Sequence, residues 1–486
     1  MLGWHVRPAL RPSGIACGHG QSRYREVMSQ TRTSVSTLLI LGASGDLAAR
    51  LLMPALGRLL TVEPNRRLAL LGSGVEELSN EQWRDRVRNS FRSSDSSGEA
   101  VDELLKNTAY QQADVTDPDQ LGKLLDRCDD PVALYFALPP SITAQACQAL
   151  ERIELAEGLQ LALEKPFGTD RASAHQLNRQ LAGLVDESQI HRIDHFLGRG
   201  SVLNILGLRF ANRVFEPVWN NQHIASVDII YDEPLGLENR ARYYDGAGAM
   251  VDMIQSHLLQ VLSVFAMEAP ATTGEADIRD AKSMVLRATR VPDPVGGTRR
   301  ARYTAGPVDG RQLPAYVDEP GVDPSKHTET LAEVTVHVDT WRWAGVPFTL
   351  RSGKALGEHR REIVVTFKPA AHVPQGLTGV TRATRIRIAI EPDEMTMGIN
   401  VNGPGDPYTL ERAELTAAFG DDGLPAYGEV LEGLMDGDPT WSVRGDTAEE
   451  CWRIVEPVLD AWHAGSVPLD EYPAGSSGPS HWPQTS

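Results

Sequence analysis

The feature that most constrains this chain is its first ordered segment. An apolar run, Ser36 to Leu41, stops at Gly42-Ala43-Ser44-Gly45-Asp46-Leu47-Ala48, and a helical pattern continues to Leu60, with Pro54 expected to bend it. A strand that turns on glycines into a helix can cradle a phosphate. The glycines allow close backbone approach, and the helix N-terminus offers unpaired N–H groups. The spacing is G-x-x-G, so the generic dinucleotide fingerprint is only partly met, and a plain strand-to-helix turn is the competing reading. Further strand runs at 68–71, 133–138 and 159–163 alternate with helical patterns. That alternation predicts a Rossmann-like, doubly wound parallel sheet. In such sheets ligands sit beyond the carboxyl ends of the strands, which directs Lys165, in Glu164-Lys165-Pro166-Phe167-Gly168, toward the cofactor crevice.

At 486 residues the chain exceeds a single core, and 41% hydrophobic with 23% charged residues is an ordinary globular composition. We expect residues 35–200 to form a dinucleotide-binding domain and 201–472 an α+β domain. Residues 1–34 read as a disordered extension and 473–486 as a flexible tail. The net charge of −18 argues against a nucleic-acid partner. No run of about 20 apolar residues predicts a membrane span. Cys17, Cys128, Cys147 and Cys451 lack metal-ligand spacing, so no metal is expected and a cytoplasmic location is. Only seven of the 47 basic residues are lysines, Lys165 and Lys354 among them. A retained lysine in an arginine-rich chain suggests a need for a compact point charge.

After residue 200 the pattern changes. Runs at 227–231, 284–291, 332–338, 363–367 and 384–390 read as strands of a larger, mainly antiparallel sheet. Arg192-Ile193-Asp194-His195-Phe196-Leu197-Gly198-Arg199, directly after the strand-like run 189–193, packs a carboxylate, an imidazole and two guanidiniums together. This suits both orienting a base and gripping an anion, although a solvated loop would read alike. The stretch 251–265 is a helix apolar nearly all round that carries Asp252 and His257. His257 could be a satisfied core histidine or a base facing a pocket. On a regular helix the two groups would diverge by about 140°, so they flank one ligand only if Asp252 lies in the first turn.

With these segments in hand, the chain resembles the glucose-6-phosphate dehydrogenase family from about residue 37 to 462. The carrying motifs are GASGDLA (42–48), YFALPPS (135–141), EKPFG (164–168), RIDHFLGR (192–199), LRFAN (208–212), DEPLG (232–236), QSHLLQVL (255–262), WRWAGVPF (341–348) and RSGKAL (351–356). The resemblance implies oxidation of C1 of glucose 6-phosphate to 6-phosphoglucono-lactone, with hydride transfer to NAD or NADP. It implies His257 as general base and Asp194 as the carboxylate that orients it. It places Lys165 between cofactor and sugar, His195 and Arg199 on the 6-phosphate, and Glu233, Asp252 and Lys354 on the sugar ring. Gly42, Ala43, Ser44, Gly45, Asp46 and Leu47 would hold the dinucleotide, and a homodimer or homotetramer is expected.

Two departures matter. The family usually has tyrosine and lysine where Phe196 and Arg199 stand, and a further lysine where this chain offers His359, Arg360 and Arg361. Val75, Glu76 and Glu77 stand where NADP-preferring relatives place an arginine, which tilts the reading toward NAD or dual use. Arg50, Arg66 or Arg67 would have to serve if NADP is preferred. A relative oxidising an unphosphorylated sugar and a catalytically silent sensor are the alternatives. Retention of Asp194, His257 and Lys165 together argues against the sensor.

Overall fold

The computed structural model describes residues 34–238, 241–419 and 423–483. The expected extension 1–34 lies almost wholly outside that set.

The first sheet contains β1 (Thr37–Leu41), β2 (Ala69–Gly74), β3 (Ala109–Gln112), β4 (Val132–Phe136), β5 (Gln160–Leu163) and β6 (Ile190–Arg192). All pairs are parallel and the order is β3-β2-β1-β4-β5-β6. β1, β4 and β5 are buried along their whole length, which is why they read as unbroken apolar runs. Strand order reverses between β1 and β4, so a crevice opens beyond their carboxyl ends. Pro54 does not simply bend the first helix. A π-helical turn, Ala48–Leu52, gives way to the α-helix Met53–Val62, and Pro54 falls in that helix's first turn. The widened turn directly before it makes room for the ring and for the hydrogen bond a proline cannot donate.

The second sheet holds β7 (Ile224–Asp232), β8 (Thr289–Arg290), β9 (Thr298–Thr304), β12 (Leu331–Val338), β13 (Pro347–Gly353), β14 (Arg360–Phe367), β15 (Thr378–Gly379), β16 (Arg385–Ala389), β17 (Glu394–Asn402), β18 (Thr409–Ala418) and β19 (Leu469–Pro473). β10 (Gly306–Val308) and β11 (Arg311–Leu313) form a separate hairpin. Most pairs are antiparallel, and β7–β13, β9–β19 and β15–β18 are parallel. The expected strand at 284–291 is corrected. Residues Glu275–Ala288 form a helix, and only Thr289–Arg290 extend as β8. Glu275 and Asp277 favour the helix start, and Ile278, Lys282, Val285 and Leu286 form one buried helical stripe.

The long helix on this sheet, Ala241–Ala266, also departs from expectation. It is apolar and long enough to cross a membrane by length and composition, yet 89% of its apolar window is buried inside the fold. Ile254, Leu258, Leu259, Val261 and Leu262 join a core with Val334, Val336, Phe348 and Leu350. The expected tail is likewise packed as far as it is described. Ala474 and Trp482 are buried, and Arg351 donates to the Ser477 carbonyl at 2.9 Å. Near the C-terminus the chain returns to the first sheet: Leu431, Leu434 and Met435 share a core with Leu52, Leu56 and Leu59.

Candidate active site

Parallel strands deliver their carboxyl ends to one edge, and the sequence loads that edge with polar groups. Leu41 ends β1, and the Gly42 and Ala43 amides donate to the Ser73 carbonyl at 2.8 and 2.9 Å. Gly42 has φ +81, and a Cβ there would meet the Ala137 carbonyl oxygen at 2.3 Å, so only glycine fits this turn. Ala49 N–H donates to the Gly45 carbonyl at 3.2 Å, leaving Asp46 and Leu47 as the first amides of the helix without an intrahelical acceptor. These features fit a pyrophosphate of a dinucleotide. Glu76, Glu77 and a 72%-exposed Val75 follow β2. Arg50, Arg66 and Arg67 are engaged with Asp46, with Glu63 and Asp436, and with Glu99 and Glu103 respectively. The guanidinium at this edge is instead Arg86, which donates to the Ser44 carbonyl at 3.1 Å and lies 3.9 Å from Glu76.

Lys165 follows β5 and meets the long helix. Its Nζ donates to the Asp252 carbonyl at 3.0 Å, lies 3.5 Å from Asp252 Oδ1, and is 2.5 Å from His257 Nε2. One ammonium touches both side chains because the helix is not regular here. Gly248 breaks it with φ +63, and Met250–Leu258 is a π-helix, closed by the Leu259 N–H donating to the Ile254 carbonyl. Hydrogen bonds from i to i+5 bring residues five apart nearly above one another. Asp252 also lies in that segment's first turn, which satisfies the condition the sequence set.

His257 Nδ1 is 2.6 Å from Asp194 Oδ1, and both side chains are buried. Asp194 Oδ1 also accepts the Phe196 N–H at 2.9 Å. Burial pushes the Asp194 carboxyl up, but His257 beside it brings it below the usual range. Burial lowers the His257 imidazole, Lys165 lowers it further, and Asp194 only partly restores it. The ring is therefore neutral near pH 7, with Nδ1 donating to Asp194 and Nε2 carrying the lone pair. His195 is pushed well below its ordinary value, first by burial and then by His257.

The RIDHFLGR cluster folds around this dyad. Phe196 stacks on His257 with centroids 4.3 Å apart, and His195 packs edge-on to it at 5.0 Å. Arg199 lies over the Phe196 ring, 5.0 Å from its centroid. Beyond β7 and β13, Lys354 Nζ pairs with Glu233 Oε2 at 3.0 Å. Of the three downstream candidates, Arg361 joins the cluster, 3.4 Å from Glu233 and over the Tyr231 ring. His359 pairs with Asp309 at 3.7 Å and Arg360 with Glu362 at 3.0 Å, both away from Arg199.

Sequence reasoning missed several neighbours. Tyr427, from the helix Ala426–Met435, stacks on His195 at 5.2 Å, and Tyr135 donates to Glu164 at 2.5 Å. Tyr427 comes from the returning C-terminal segment, and no local motif signals it. Glu391, which contacts both Arg199 and Arg361, was equally invisible. Asp194, His195 and His257 have ligand atoms within 4.8 Å of one another; Asp194 and Lys165 engage the two His257 nitrogens, and Tyr427 stacks on His195.

Comparison with known proteins agrees with this geometry. Residues 39–204 match the family glucose-6-phosphate dehydrogenase, NAD binding domain, and residues 206–485 match glucose-6-phosphate dehydrogenase, C-terminal domain. The chain is 40% identical to a glucose-6-phosphate 1-dehydrogenase of Gluconobacter oxydans, over 91% of this chain and 94% of that one. It is 36% identical to that of Zymomonas mobilis, over 92% and 96%. A solved glucose-6-phosphate dehydrogenase in complex with its substrate superposes with a TM-score of 0.84 at 29% identity, covering 92% of this chain and 97% of that one. The enzyme from Mycobacterium avium gives a TM-score of 0.80 at 32% identity, over 92% and 95%. A dinucleotide-type sheet, a buried His–Asp pair on its ligand edge and near full-length similarity agree: the chain belongs to the glucose-6-phosphate dehydrogenase family.

Proposed function

We propose that this chain oxidises C1 of glucose 6-phosphate to 6-phosphoglucono-lactone with NAD or NADP as acceptor, the first step of the pentose phosphate pathway. The observation that carries it is the chain Asp194–His257–Lys165, in which the buried acid–imidazole pair meets a partly exposed lysine where the parallel sheet ends. His257 Nε2 removes the proton from the C1 hydroxyl, taking over the position that the Lys165 ammonium holds here. Asp194 keeps the imidazole in the tautomer with Nδ1–H and stabilises its cation. As the alkoxide forms, C1 gives up hydride. A bound nicotinamide dinucleotide supplies the hydride acceptor, and residues 42–47 hold its pyrophosphate. Lys165, displaced from His257 Nε2 by the incoming C1 hydroxyl, lies between the two ligands and stabilises the developing charge on the sugar oxygen.

Glu233, Asp252 and Lys354 hold the ring hydroxyls, and His195 and Arg199 receive the 6-phosphate. Arg86 provides a guanidinium near Glu76, which supports use of both NAD and NADP. Copies of the chain pair as a homodimer or homotetramer, and the cysteines among the described residues are unpaired, which suits the cytoplasm.

The decisive experiment is reduction of NAD and NADP with glucose 6-phosphate and with glucose. The expected result is turnover of glucose 6-phosphate with both cofactors. Turnover of glucose alone would transfer the assignment to unphosphorylated sugars, and no turnover would leave a binding protein. Arg86→Ala should lower kcat/KM for NADP by about 3- to 30-fold more than for NAD, as one partly exposed charge-assisted contact is lost. An unchanged ratio would show that Arg86 does not read the 2′-phosphate.

A further inference from the structure

We propose that Glu391 is an internal counter-anion that occupies the phosphate seat and must be displaced by a phosphorylated sugar. This deepens the function proposed above and rests on it for the substrate.

Two guanidiniums face one another at the site's outer end. Arg199 lies 5.0 Å from the Phe196 centroid and Arg361 lies 4.9 Å from that of Tyr231, and the two rings are 5.0 Å apart. Cations stacked on aromatic faces keep their orientation, and guanidinium forks suit phosphate. In each arginine the Nε is buried without a hydrogen-bond partner, although the side chains stay 20% and 16% exposed. The cationic pair has more donors than the protein supplies acceptors.

Glu391 reaches into this pair. Its Oε2 hydrogen-bonds Arg361 and lies 3.8 Å from Arg199. The backbone sets it there: Ile390 N–H donates to the Arg361 carbonyl at 2.6 Å, and the Ser201 hydroxyl donates to the Ile390 carbonyl at 3.4 Å. Glu233, 3.4 Å from Arg361, is tied to Lys354 as well, so its charge is already shared. The Glu391 side chain is 56% exposed and can swing outward, whereas the stacked arginines cannot follow. With Glu391 inward the seat keeps one net positive charge and offers a carboxylate acceptor to a hydroxyl. With Glu391 outward it offers two cations to a dianion. Glu391 thereby narrows the preference for a phosphorylated over an unphosphorylated sugar, because displacing it reduces the apparent affinity for phosphate.

The test is Glu391→Gln in the full chain, with Glu391→Ala as a second variant. It measures the Kd for inorganic phosphate by calorimetry, KM for glucose 6-phosphate, and kcat/KM for glucose. Removing the competing charge should tighten inorganic phosphate and lower KM for glucose 6-phosphate by about 3- to 10-fold, while kcat/KM for glucose falls. Arg361→Ala should weaken phosphate binding. Unchanged or weaker phosphate binding in both Glu391 variants overturns the proposal, as does normal phosphate binding in Arg361→Ala. Because phosphate binding is read without turnover, a protein inactive on glucose 6-phosphate would refute the proposed function while leaving this result interpretable.

Discussion

His257 is engaged at both ring nitrogens, and that double contact suits the general base proposed above. A core histidine needs only satisfied hydrogen bonds. This one faces a carboxylate at Nδ1 and a lysine ammonium at Nε2, a position a substrate hydroxyl can take. Replacing His257 by Asn should reduce turnover by about 10²- to 10⁴-fold with sugar and cofactor binding largely kept. Near-normal turnover would make it a packing residue. In the proposed mechanism the neutral ring is the active form, and burial holds its pKa below the ordinary 6.5. The acid limb of kcat/KM should therefore lie below that value, and activity should persist as pH falls through it. Asp194→Asn removes the carboxylate that raises the ring, so the limb should move lower still while turnover drops. A limb at or above the ordinary imidazole range would contradict the lowered pKa. The residue types of this dyad were legible in the chain, and Lys165 stood out as a lysine retained at a strand end; its contact with His257 Nε2 was not.

At the scale of elements, the decisive device is the π-helical segment Met250–Leu258. Its entrance is fixed by Gly248 and Glu329. The Glu329 Oε1 accepts the Met250 N–H at 2.9 Å, and a Cβ on Gly248 would lie 2.2 Å from that same oxygen. Burial raises the Glu329 carboxyl to about 7, although the amide bonds oppose this. Gly248→Ala should cost roughly 1–3 kcal/mol of stability, from its positive φ and this clash, and should lower kcat by displacing Asp252 and His257 together. Glu329→Gln keeps an acceptor for Met250 and should be milder. Denaturant midpoints and kcat for both variants check this, and a Gly248→Ala protein with wild-type values would show that the entrance does not position the base. Apolar periodicity announced a buried helix here. It could not announce the widened turn, because the i-to-i+5 pattern arises from how Gly248 and Glu329 meet, 81 residues apart in sequence.

In the whole molecule the large sheet extends beyond its helical cover. β17 and β18 are mostly half-buried or exposed, and Val401, Tyr408 and Leu415 are 37%, 63% and 44% exposed. An uncovered sheet face with apolar side chains fits the pairing of copies proposed above. Light scattering of the full chain should show at least a dimer, and Leu415→Glu should shift it toward monomer; a wild-type monomer would end this reading. Legible in the chain were the alternation that builds a doubly wound sheet, the glycine turn at its ligand edge, and the imidazole and carboxylate of the dyad. Each of these rests on local periodicity or on a motif within a few residues. Only the tertiary structure buried Ala474 and Trp482, set Arg86 beside Glu76 and Ser44, and stood Glu391 between Arg199 and Arg361. These outcomes depend on side chains far apart in sequence competing for the same buried space and the same counter-charges, and no local pattern records which of them wins.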